Sequence, residues 1–165
     1  MKWKLSIKCA QLSKLIILLG GIILYIENVK IFREYIKSFN IHIIERKFGR
    51  ETIFEMESIL PWGYKSLIIS IFQEIKPTFF DIFCINGIKV DNQIMGKVCL
   101  RINELNLGNA LVKFVIDEDG DLTLSYNLNV NVEFRPDELL DHMFILDWTM
   151  KNEFEGLLEL IYGNI

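Results

Sequence analysis

Apolar and polar residues alternate most regularly between Ala110 and Phe134. Ala110, Val112, Phe114 and Ile116 mark one predicted strand. On the return strand Leu122, Leu124, Tyr126, Leu128, Val130, Val132 and Phe134 alternate with Thr123, Ser125, Asn127, Asn129, Asn131 and Glu133. Side chains on a strand point to opposite faces with a period of two, so this pattern demands one buried face and one wet face. Asp119-Gly120 between the runs supplies the positive φ angles of a tight hairpin turn.

Helical periods flank this hairpin. Ile94, Val98, Ile102 and Leu105 step by 4, 4 and 3, with Asn92 as the expected cap and Asn106 to Asn109, with Gly108, as the expected stop. Leu139, Met143, Leu146, Met150, Phe154, Leu157 and Ile161 form a long apolar stripe. Pro136 opens that helix where its missing N–H costs nothing, and it ends near Gly163. Nearer the start, Val29, Phe32, Ile36 and Phe39 form a shorter stripe, with Asn28 as the expected N-cap and a stop at Asn40.

Four short runs with strand character lie between: Ile41–Phe48, Glu51–Leu60, Ser66–Ile75 and Thr78–Ile85. Gly49-Arg50, Pro61-Trp62-Gly63, Lys76-Pro77 and Asn86-Gly87 punctuate them. The order is therefore α-ββββ-α-ββ-α. This predicts an α+β fold: an antiparallel β-sheet with helices packed on one face.

The first 27 residues stand apart from the single domain expected over residues 28–165. Leu15–Ile26 is apolar and free of charge, and Lys2, Lys4, Lys8 and Lys14 precede it. A basic stretch followed by an apolar run is the layout of a signal or membrane anchor. The run has 12 residues, and a span of the hydrocarbon core needs nearer 20. The other readings are a core helix or a stretch upstream of the natural start.

Charge sharpens the division. The chain carries −4 overall. Removing the four N-terminal lysines leaves 14 basic residues against 22 acids, or −8, for residues 27–165. Such a body repels a phosphate backbone, so no nucleic-acid partner is expected. A basic or hydrophobic protein partner, or a second copy, suits it.

Candidate chemistry is sparse. Cys9, Cys84 and Cys99 fit no zinc or redox spacing, and an odd number makes a disulfide framework unexpected. Cys84 and Cys99 read as small core hydrophobes, compatible with a reducing compartment. Asp117-Glu118-Asp119-Gly120-Asp121 is not a calcium loop: its sixth and twelfth positions are Leu122 and Leu128, where glycine and a bidentate glutamate belong. His42 and His142 have no nucleophile motif beside them, and no glycine belongs to a phosphate loop. No catalytic, cofactor or metal site is expected, and the chain reads as a non-enzyme.

One feature favours a partner. If the serines and the acid mark the open side of the sheet, Ile68, Phe72, Phe79 and Phe83 lie together on that side. An apolar cluster there would serve dimerisation or peptide capture. In the alternative reading a helix covers them.

Arg101-Ile102-Asn103-Glu104-Leu105-Asn106 followed by Val112-Lys113-Phe114-Val115-Ile116-Asp117-Glu118-Asp119-Gly120 resembles the YbjN family, a bacterial group sharing the fold of type III secretion chaperones. The resemblance covers roughly residues 29–161. It implies a chaperone-like, dimeric, protein-binding or regulatory domain, and it brings no catalytic residues. Two placements follow: cytoplasmic, or membrane-anchored through Leu15–Ile26. The second would suit a tethered or exported accessory protein, such as an immunity-type binder.

Overall fold

The computed structural model describes residues 2–39, 41–129 and 133–163, with side chains from Leu18 onward. The chain runs α1 (Lys2–Lys37), β1 (Ile43–Phe48), β2 (Glu51–Ile59), β3 (Lys65–Gln73), β4 (Lys76–Lys89), α2 (Met95–Gly108), β5 (Lys113–Ile116), β6 (Asp121–Asn129) and α3 (Pro136–Tyr162). The strands form one antiparallel sheet in the order β1-β2-β3-β4-β6-β5. The fold class and element order match the sequence reading.

The helices cover a single face, and an aromatic cluster holds them there. Phe32 of α1 lies edge-on to Phe54 of β2 at 4.9 Å, and its ring is 5.5 Å from Phe72 of β3. Phe72 contacts Phe80 of β4 at 4.8 Å, and Phe80 contacts Phe134 at 4.9 Å. Phe32, Phe54, Phe72 and Phe80 are almost fully buried. Edge-to-face contacts at these separations add to the free energy of burial. Every residue of the predicted α3 stripe is buried as well.

Three sequence expectations change. First, Asn28 is not an N-cap: α1 continues unbroken upstream through Gly20-Gly21 to Lys2. Asn28 is buried and spends its amide on tertiary structure, Nδ2 donating to the Pro77 carbonyl at 2.9 Å. One turn earlier Tyr25 and Thr52 share a hydroxyl hydrogen bond of 2.7 Å, and a Cβ on Gly21 would lie 3.8 Å from the Pro77 ring. These contacts dock the helix beside the β3–β4 turn and outweigh the low helix propensity of two glycines. The expected stop at Asn40 lies outside the described residues. Phe39, beyond the helix end, is exposed rather than part of the buried stripe.

Second, Asn86-Gly87 does not end a strand. β4 continues to Lys89, and the register slips between Ile85 and Lys89. Gly87 takes φ +70° and Asn86 Oδ1 accepts from the Ile88 N–H at 2.8 Å, so the pair forms a bulge. Third, Asn92 does not cap α2. The helix starts after Ile94, and Asp91 Oδ1 shapes the preceding turn by accepting from the Gln93 N–H.

The β5–β6 hairpin turns as expected but by other means. Only Gly120 has positive φ. Asp117 Oδ1 accepts from the N–H groups of Asp119 and Asp121, and Asp117 and Asp121 pair through the backbone. This three-residue loop ends in a left-handed glycine. The strand continuation expected through Val130 and Val132 lies outside the described residues.

The two edges of the sheet differ. At β5, Asn106 of α2 acts as a one-residue strand. Its Oδ1 accepts from the Phe114 N–H at 2.8 Å and its Nδ2 donates to the Phe114 carbonyl at 3.0 Å. Lys113 Nζ donates to the carbonyls of Asn106 and Asn109, tying the end of α2 to the same edge. At β1, no described strand or backbone hydrogen bond covers the outer edge. Asn106→Ala removes both halves of the clamp, so it should cost about 1–3 kcal/mol in denaturant unfolding. An unchanged midpoint would show that the clamp contributes nothing.

Candidate functional site

β3 and β4 are the central strands, and both of their faces are rich in apolar residues. On the helix side lie Ser66, Ile68, Ser70 and Phe72 of β3, all buried. On the other side lie Leu67, Ile69 and Ile71, half-buried with no helix above them. In β4, Phe80, Ile82 and Cys84 point into the core, while Phe79, Asp81, Phe83 and Ile85 point to the open side.

The sequence placement of the apolar cluster is therefore half corrected. Phe79 and Phe83 lie on the open face. Ile68 and Phe72 do not, being 0% and 1% exposed. Ser66 and Ser70 marked the wrong side because they are small core residues. Ser70 sits in register between Phe54 of β2 and Ile82 of β4, where its small side chain leaves room beside the Phe54 ring.

In place of Ile68 and Phe72 the open face presents Ile53, Leu67, Ile69 and Ile71. Cross-strand register aligns Ile53 with Ile71, Ile69 with Phe83, and Leu67 with Ile85. β3 is apolar at both parities in the sequence, so periodicity alone does not say which set faces out. A strand apolar on both faces normally has both faces covered.

Around this cluster the rim is charged. Arg46 Nε bonds Glu55 at 2.7 Å, Lys65 bonds Glu57 at 2.8 Å, and Gln73 donates to Asp81 at 3.1 Å. Toward β6 the same face turns polar, with Thr123, Ser125, Asn127 and Asn129. The open face is thus an apolar half over β2–β4 beside a hydrophilic half over β6.

Other candidate groups stand apart from one another. His42 is exposed beside β1. His142 stacks on Tyr126 at 4.2 Å, and its Nδ1 lies 2.5 Å from the Glu138 carbonyl. Burial pushes the Cys84 thiol up to about 12, so at neutral pH it stays protonated and is a poor nucleophile. Cys99 is exposed rather than a core residue. Among the described residues no three His, Cys, Asp or Glu side chains converge on a metal site.

A cleft of about 420 Å³ separates α2 from α3, lined by Arg101, Glu104, Trp148, Thr149 and Glu153 among others. Arg101 bridges it to Glu153 at 3.1 Å. Neither histidine lines this cleft.

The N-terminal apolar segment forms part of α1. Leu18, Leu19, Ile23 and Ile26 of that segment are each at least half exposed. Among the described residues no helix is long and apolar enough to cross a membrane.

The two faces predict opposite mutational outcomes. Phe72→Ser should cost about 3–5 kcal/mol by removing a buried ring. Phe83→Ser should stay within about 1 kcal/mol of the parent, the scale of a cross-strand pair. Chemical denaturation of both variants checks this, and equal losses would show that Phe83 is as structural as Phe72.

No family model matches the chain, and no curated protein matches it. Among solved structures it is similar to the crystal structure of YbjN from E. coli, described as a candidate transcription regulator. The similarity has a TM-score of 0.53 at 8% identity and covers 78% of this chain and 92% of YbjN. At that identity the likeness concerns architecture alone, and the chain has a YbjN-like α+β fold.

Proposed function

We propose that this chain is a non-enzymatic protein-binding module, chaperone-like or regulatory in role. The observation that carries the reading is the half-buried apolar cluster on the open face of β2–β4. Leaving such a cluster against water forgoes the free energy of burying it, so a partner that covers it gains about 25 cal/mol per Å² of apolar area. The proposed occupant is a polypeptide segment with an apolar centre and basic flanks. The apolar centre matches Ile69, Ile71 and Phe83. The flanks match Glu51 and the −8 charge of residues 27–165.

Peptides with one apolar centre and either lysine-rich or glutamate-rich flanks test this by fluorescence anisotropy. The lysine-flanked peptide should bind. The double variant Ile69→Ser/Phe83→Ser should weaken it at least tenfold while remaining folded by circular dichroism. Equal binding by the folded double variant, or no binding by the parent, overturns the reading.

A second reading, a membrane-tethered accessory protein, is favoured by the exposed apolar residues of α1. Leu18, Leu19, Ile23 and Ile26 continue a segment that four lysines precede. Apolar burial combined with lysine attraction to anionic headgroups is the usual basis of interfacial helix binding. The full chain should float with anionic vesicles, and Leu19→Lys/Ile23→Lys should abolish flotation. A parent chain that stays at the bottom of the gradient refutes tethering.

A further inference from the structure

The edge of β1 offers a second surface, at the border of the open face. Its outer side lacks a described partner, whereas Asn106 closes the opposite edge at β5. The strand reads Ile43-Ile44-Glu45-Arg46-Lys47-Phe48. Even-numbered residues share the open face with Glu55 and Ile53, and odd-numbered residues share the helix side with Phe54 and Met56. Ile44 and Phe48 are 41% and 58% exposed, on the same face.

We propose that β1 pairs antiparallel with β1 of a second copy, centred on Arg46, to form a homodimer with one continuous sheet. This register is self-complementary. Ile44 of each copy faces Phe48 of the other, so two apolar pairs form on the open face. Glu45 of each copy faces Lys47 of the other, so two opposite-charge pairs form on the helix side. Directly opposed residues in an antiparallel pair point to the same face, so this register keeps the helices of both copies on one side.

The centre is the one like-charge contact, Arg46 against Arg46. That charge is already engaged within each copy by Glu55 at 2.7 Å. Glu45 likewise starts from a held position, accepting two hydrogen bonds of 2.7 Å from Arg33. Among the described residues no ion pair engages Lys47, so it is available to the second copy. An edge strand of this length makes a modest interface, so the dimer should dissociate on dilution.

Sedimentation equilibrium from micromolar to millimolar concentration tests the register through a charge exchange. The parent should move from monomer toward twice its mass. Glu45→Lys and Lys47→Glu should each weaken association roughly tenfold, because the symmetric pair is lost twice and replaced by like charges. Combining both substitutions recreates the pairs with reversed sign and should restore association. Lys47→Glu breaks no hydrogen bond or ion pair among the described residues, so it remains informative if loss of the Arg33 bond harms Glu45→Lys. A parent that stays monomeric overturns the proposal, as does association unchanged by Lys47→Glu or not recovered in the folded double variant. The outcome is independent of client binding, since Ile69→Ser/Phe83→Ser leaves the edge intact.

Discussion

The contact between Phe32 and the Phe54–Phe72 pair fixes which side of the sheet is inside. Five rings from α1, β2, β3, β4 and the approach to α3 meet in this cluster, so moving any one uncovers the others. A strand cannot turn a single side chain over without shifting its register, so burying Phe54, Phe72 and Phe80 on one side commits Ile53, Ile71 and Phe79 to the other. The half-buried apolar cluster on the open face is a direct geometric result of how the core is built.

The helices follow from the same commitment. α1 is held by Phe32 in its second half and by Tyr25 and Asn28 at the β3–β4 turn. α3 lays its apolar stripe over β4 and β6, and Ser58 of β2 hydrogen-bonds Asp147 of α3. α2 is anchored through Asn106 to β5. With three helices on one side and none on the other among the described residues, a two-layer domain of this kind protects only half of its sheet.

Much of this was legible from residue order. The α3 stripe spans many turns, and a period that long has one solution. The β5–β6 alternation likewise left no second choice. Local signals misled where tertiary contacts could reuse them. Asn28 looked like a cap and is a buried donor to Pro77. Asn86-Gly87 looked like a turn and is a bulge, because a left-handed glycine serves either purpose. Ser66 and Ser70 looked wet and are buried, since a small hydroxyl beside a large ring is tolerated in a core. On the open face, Phe79 and Phe83 were readable because Asp81 shares their parity. Leu67, Ile69 and Ile71 were not, because both parities of β3 are apolar and periodicity alone cannot rank them.

The amide of Asn106 has a consequence for assembly that no single chain displays. A sheet open at both ends can add copies indefinitely, which is the geometry of a fibre. Here one end is sealed by a side chain that satisfies both the donor and the acceptor of Phe114. Strand addition is therefore obstructed at Phe114 on that side, and two sheets that met at their β1 ends would each use up the other's open edge. One asparagine at the far end of the sheet thus hinders strand addition there, so edge-to-edge assembly through β1 alone would close as a pair.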